Sequence, residues 1–104
     1  MNNEMKMRAT IQGDVADVKV LIKHIMETGL RKDPATKQFI PAHFINQVVA
    51  SLNGVTVLDM QWGVAVSKNP FFGFRVKGAK PGDKITVNAV DNLGPKFYGE
   101  TAVA

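Results

Sequence analysis

The residues that most restrict this chain's fold are Asn53 and Gly54, set between FINQVVASL at 44–52 and VTVLDM at 55–60. A two-residue type I′ turn needs positive φ at both central positions, and Asn-Gly adopts that geometry at the least steric cost. The chain must therefore reverse here with a strand on either side. Gly13-Asp14 makes a similar signal between MKMRATIQ at 5–12 and VADVKVLIK at 15–23. In the first of these runs Met5, Met7, Ala9 and Ile11 alternate with Lys6, Arg8, Thr10 and Gln12. In the second, Ala16, Val18, Val20 and Ile22 share one face. Alternation with a period of two describes a strand with one dry face and one wet face.

Three further runs read the same way: FFGFRVKG at 71–78, with Phe72, Phe74 and Val76 on one face, KITVNAVD at 84–91 and FYGETAV at 97–103. Between them, AKPGD at 79–83 has proline and glycine where a type II turn wants them. Asn92-Leu93-Gly94-Pro95 joins the last pair. Seven short strands, glycine-rich turns and no helical stripe predict an all-β, immunoglobulin-like sandwich of antiparallel strands, with a small barrel as the alternative. The 104 residues make a single domain, 1–104, which buries roughly two-thirds of its unfolded surface. No apolar run reaches the roughly 18 residues of a spanning helix. MNNEMKMRAT lacks the apolar segment of a secretory signal, which taken alone reads as a cytoplasmic protein or a mature form.

Two features exceed what a plain sandwich needs. The first is the polar segment 24–43, broken by Gly29, Pro34 and Pro41, which reads as an irregular excursion. Connections longer than about 12–15 residues are uncommon in compact domains and tend to carry function. The second is a surplus of apolar side chains. The run 44–52 offers Phe44, Val48, Ala50 and Leu52 on one side and Ile45 and Val49 on the other, while Leu21, Trp62 and Phe71 fall among polar neighbours. Either some of these form an exposed patch, the usual mark of a binding surface, or the excursion folds back over them.

The inventory for catalysis is thin. There is no cysteine, which excludes disulfides, thiolate nucleophiles and cysteine-held metals. The two serines, Ser51 and Ser67, lie in no nucleophile-elbow context, and only His24 and His43 could act as bases. His24 and Glu27, spaced i, i+3, with His43 as a third ligand, would suit a metal on a helix, but Gly29 and the strand-like flanks argue against a helix there. Gly73, Gly78 and Gly82 lie in a strand and turns, so no phosphate cradle is present. A net charge of +4 favours an acidic or anionic partner. Lys23, Arg31, Lys32 and Lys37, with Trp62, Phe71 or Phe72 as stacking platforms, would suit a small β-barrel nucleic-acid-binding module; the plainer reading is a solvated loop beside core aromatics. By elimination the chain is a sandwich without chemistry or cofactor of its own, whose excursion and spare apolar residues suit docking to another protein.

The blocks HIMETGLRKD, FIPAHFINQVVASLNG, VLDMQWGVAVSKNPFFGFRVKG, AKPGDKITV and VDNLG, in this order, resemble the SoxZ family over nearly the whole chain. The chain departs from the family's pattern at Ile25 and Val64, where proline is usual or frequent, and at Ala89, where tryptophan is common. These look like packing changes. The resemblance implies an immunoglobulin-like, non-catalytic subunit without cofactor or metal, paired in a heterodimer with a SoxY sulfur carrier whose C-terminal Gly-Gly-Cys-Gly-Gly arm holds the substrate covalently. It further implies transient contact with other Sox enzymes through that complex, no nucleic acid or membrane partner, and a periplasmic location reached by export with a signal-bearing partner. Residues 26–29 and Asn69-Pro70-Phe71 match family motifs. The resemblance thus assigns Met26, Glu27, Thr28, Gly29, Asn69, Pro70 and Phe71 to partner contact or to holding the contacting loop; in such an interface Met26, Trp62 and Phe71 are the residue types expected as apolar anchors, with Glu27, Arg31 and Lys32 at a polar rim.

Overall fold

The computed structural model describes residues 5–104. Seven antiparallel strands follow one another: β1 (Met5–Gln12), β2 (Val15–Ile22), β3 (Ile45–Leu52), β4 (Val55–Gln61), β5 (Phe71–Lys77), β6 (Lys84–Asp91) and β7 (Lys96–Ala102). They form two sheets, ordered β1-β2-β5 and β4-β3-β6-β7. There is no helix among the described residues. Each sheet keeps two edge strands, so the sandwich is correct and the barrel is not.

The turns follow from their residues. Gln12 pairs with Val15 across Gly13, whose φ of 66° suits the first position of a type II′ turn. Leu52 pairs with Val55 across Asn53 and Gly54, both at positive φ (50° and 86°), as type I′ requires. At residues 80–83, Gly82 has φ 91° and the Asp83 N–H donates to the Lys80 carbonyl, closing the type II turn.

Alternation then builds the core. Ala16, Val18, Val20 and Ile22 of β2 face Val48 and Ala50 of β3 and Ile85, Val87 and Ala89 of β6, all fully buried. Each valine or isoleucine so buried contributes roughly 1.5–3 kcal/mol. At Ile45 the two-sided look of 44–52 has a local cause. Pairing with β6 slips between Ile45 and Gln47, so Ile45 lies opposite Asp91 and Gln47 opposite Val90. The extra residue, Asn46, turns Ile45 into the core, where it is fully buried. Ile45 therefore needs no outside cover.

The excursion is an irregular β-hairpin arm. Glu27 and His43 exchange backbone hydrogen bonds (2.7 and 3.0 Å), Ile40 donates to Arg31 (2.8 Å) and Asp33 to Gln38 (2.9 Å). At the tip, Asp33 Oδ1 accepts from Ala35 N–H, with Pro34 between them, and its carbonyl accepts from Lys37. The molecule is accordingly elongated, 54 × 22 × 20 Å.

Candidate functional site

The inward rows of β2 and β6 do not stop at their last apolar residues. Counting in twos from Val18, the next inward residue after Ile22 is His24; counting from Ile85, the row ends at Asp91. His24 is 7 % exposed and Asp91 2 %. Asp91 Oδ2 accepts from Nε2 of His24 (3.1 Å) and of His43 (2.7 Å), and Oδ1 accepts from the Leu93 N–H (2.9 Å). The two imidazoles meet edge to face at 4.7 Å. His24 opens the arm and His43 ends it, so one buried carboxylate latches both roots of the arm to the end of β6.

Burial pushes the Asp91 carboxyl up, but hydrogen bonds from His24, His43 and Leu93 outweigh it, and the group is held below its ordinary 3.8. A folded value below the unfolded one means that the latch's stabilisation is complete above pH 3.8 and is lost as pH falls through the lower, folded value. The stability difference between wild type and Asp91→Asn should thus shrink as pH falls below about 3.8 in a series of urea melts. A difference that persists undiminished to about pH 2 would contradict an ionised Asp91 in the latch.

This trio is the one group of three potential metal ligands among the described residues. The donor set does not fit a metal. The Met26 backbone N–H donates to His24 Nδ1 at 3.0 Å, so Nδ1 is the bare nitrogen and Nε2 carries the proton. A ligating Nε2 would have to be bare. The set weighed from spacing and set aside, His24, Glu27 and His43, does not assemble: Glu27 turns to Arg31 instead. That pairing with the guanidinium holds the Glu27 carboxyl below its usual range.

Most of the residues assigned to partner contact or to holding the contacting loop make their own contacts within the arm or at its root. Met26 is 5 % exposed, has φ 51°, and accepts the Ile45 N–H at its sulfur (3.4 Å). Its side chain is core, which makes it a support rather than a surface anchor. Thr28 Oγ1 accepts from Leu30 N–H. Gly29 has φ 85°, and a Cβ there would come within 3.1 Å of Ala42 Cβ, so the close crossing of the arm's two strands requires glycine. Asn69 grips His24 from both sides: its N–H donates to the His24 carbonyl (2.9 Å) and its Oδ1 accepts the His24 N–H (3.0 Å). Pro70 is buried, and its carbonyl accepts the Ile22 N–H. Trp62 is half-buried, edge-on to Phe72 at 5.6 Å.

The surface residues are Phe71, 65 % exposed, and the arm itself. Of the eight exposed large hydrophobic side chains among the described residues, five gather at this end: Ile25, Leu30 and Phe39 on the arm, Leu93 in the turn beside the latch, and Phe71. Phe71 is therefore not covered by the excursion. The loose basic group is partly engaged, with Arg31 on Glu27 and Lys32 over the Phe39 ring (5.1 Å). The residue missed in the sequence was Asp91; the signal that could have found it is a carboxylate at the fourth inward position of Ile85, Val87 and Ala89.

The family model described as "Sulphur oxidation protein SoxZ" matches residues 5–102. No curated protein matches. Among solved structures, the chain is similar to a hypothetical protein from Pyrococcus horikoshii, with 15% identity, TM-score 0.67, and coverage of 96% of this chain and 87% of that one. It is similar to a superoxide reductase in the oxidized state, with 17% identity, TM-score 0.60, and coverage of 96% and 86%. A superoxide reductase (neelaredoxin) from Ignicoccus hospitalis gives 15% identity, TM-score 0.60, and coverage of 95% and 77%. At these identities the likeness is one of fold.

Proposed function

Since the chain belongs to the SoxZ family of sulphur oxidation proteins, we propose that it is the non-catalytic half of a sulfur-carrier heterodimer and that its arm end binds a SoxY-type subunit bearing the reactive cysteine. The observation that carries this reading is the gathering of Ile25, Leu30, Phe39, Phe71 and Leu93 at one end of the molecule, uncovered. Permanent interfaces resemble a core cut in half, and aromatic anchors dominate them. Glu27 and Arg31, already joined on the arm, form a polar rim that sets register. The latch holds this end in one shape before the partner arrives, which reduces the ordering cost of association. Chemistry is left to the partner, because this chain has no cysteine and both histidines are engaged by Asp91. The pair works in the periplasm on this reading, which fractionation of the native host checks.

The test is co-expression with a protein ending in Gly-Gly-Cys-Gly-Gly, followed by size exclusion. The two are expected to elute together at about micromolar concentration, the range of a specific interface of standard size. Separate elution counts against the pairing.

A further inference from the structure

The positive charge of this chain is concentrated on one face. The outward positions of the three-stranded sheet carry Lys6 and Arg8 on β1, Lys19 on β2, and Arg75 and Lys77 on β5, with Asp17 as the one acid. The remaining eight basic and eight acidic residues of the chain cancel, so this face accounts for the whole net charge of +4. Register brings the cations together: Arg8 lies directly opposite Lys19, an arrangement that destabilises a sheet. Among the described residues only Lys19 of the five has an ion-pair partner, Asp17 at 3.4 Å. The fold gains nothing from this crowding.

The face is also shaped. A concavity of about 350 Å³ opens between Lys6, Arg8 and Lys19, with Leu21 and Phe71 as its apolar wall. Gly73, opposite Lys19, puts no side chain on the face; a Cβ there would lie 3.2 Å from the Val18 carbonyl oxygen and 3.3 Å from the Lys19 side chain.

We propose that this face docks the acidic surface of a second protein reversibly, with one of that protein's apolar side chains seated against Leu21 while Phe71, at the rim of the concavity, is left to the arm-end interface. Charge complementarity selects an acidic protein over a nucleic acid. Phe71 is the sole aromatic at the outward strand positions, so there is no ladder for stacking bases. Asp17, in the middle of the face, would repel a continuous phosphate backbone, whereas a protein places its carboxylates one by one. The same charge sets this face apart from a permanent interface, whose centre is depleted of charged residues. Steering by five cations speeds encounter and suits a visitor that arrives and leaves.

The experiment titrates the ¹⁵N-labelled full chain, alone and bound to its carrier partner, with a synthetic peptide rich in aspartate and glutamate that carries one leucine. A single-stranded oligonucleotide of equal charge is titrated in parallel. The peptide is expected to shift amides of β1, β2 and β5 in both forms, and to bind at least about tenfold more weakly at 200 than at 20 mM salt, about the range over which screening sets in. Arg8→Glu with Lys19→Glu should weaken it at least about tenfold, and Lys80→Glu, in a turn away from the face, by less than about twofold. Shifts centred on the arm, tighter binding of the oligonucleotide, or loss of the peptide site once the carrier is bound would each overturn the proposal. Pairing at the arm end is read separately, by co-elution, so either idea can fail without the other.

Discussion

Asp91→Ala is expected to destabilise the domain by about 3 kcal/mol and to release the arm. The carboxylate accepts from His24, His43 and the Leu93 N–H, and its side chain is fully buried. Removing it leaves the His24 Nε2–H, 3 % exposed at the side chain, without an acceptor. A buried donor stranded in this way costs about 1–3 kcal/mol, and hydrogen bonds to a charged group are worth more than neutral ones. The loss should appear as a lower urea midpoint and, locally, as faster exchange of the Glu27 and His43 amides, which bond each other's carbonyls at the arm's root. Asp91→Asn should fall between, since an amide has one acceptor oxygen to offer and its NH₂ must face an N–H. Unchanged exchange at Glu27 and His43 in the alanine variant would mean that the arm is held by something other than the latch.

The second large effect separates two aromatic residues that the sequence treats alike. Phe71→Asp should weaken pairing with the carrier subunit by about 2 kcal/mol, roughly thirtyfold, while shifting the unfolding free energy by no more than about 0.5 kcal/mol. Its ring is 65 % exposed and lies on the outer face of its sheet. Trp62→Asp should damage both properties, because the indole packs against the core and edge-on to Phe72, and a carboxylate there would be left half-buried. Titration with the carrier, read beside urea melts of both variants, checks the pair. If Phe71→Asp unfolds the domain as much as Trp62→Asp, Phe71 belongs to the fold and the arm-end interface loses its main anchor.

The difference between these residues was hidden in the sequence for a physical reason. Trp62 and Phe71 both sit among polar neighbours next to connections, and burial there depends on which side of a strand faces the opposite sheet. Phe71 is the first residue of β5, where the inward row is Phe72, Phe74 and Val76. Trp62 follows β4 and is tied by its N–H to the Asn46 carbonyl, at the bulge of β3. The same bulge explains Ile45, one of the two residues that made 44–52 look apolar on both faces; Val49, beyond it, stays half-buried on the outward side. An inserted residue reverses side-chain direction locally without changing composition.

What the sequence by itself determined was the set of strands, the turns between them and the family. Period-two alternation and residues such as Asn53-Gly54 act over a few positions, so they need no knowledge of distant parts of the chain. The latch and the basic face were decided only by the tertiary structure. His24, His43 and Asp91 are brought within hydrogen-bond reach across 48 and 67 positions, and Lys6, Arg8, Lys19, Arg75 and Lys77 share a surface because of strand order and register. Hydrogen bonding and Coulomb attraction act through space, and sequence spacing carries no record of which strands become neighbours.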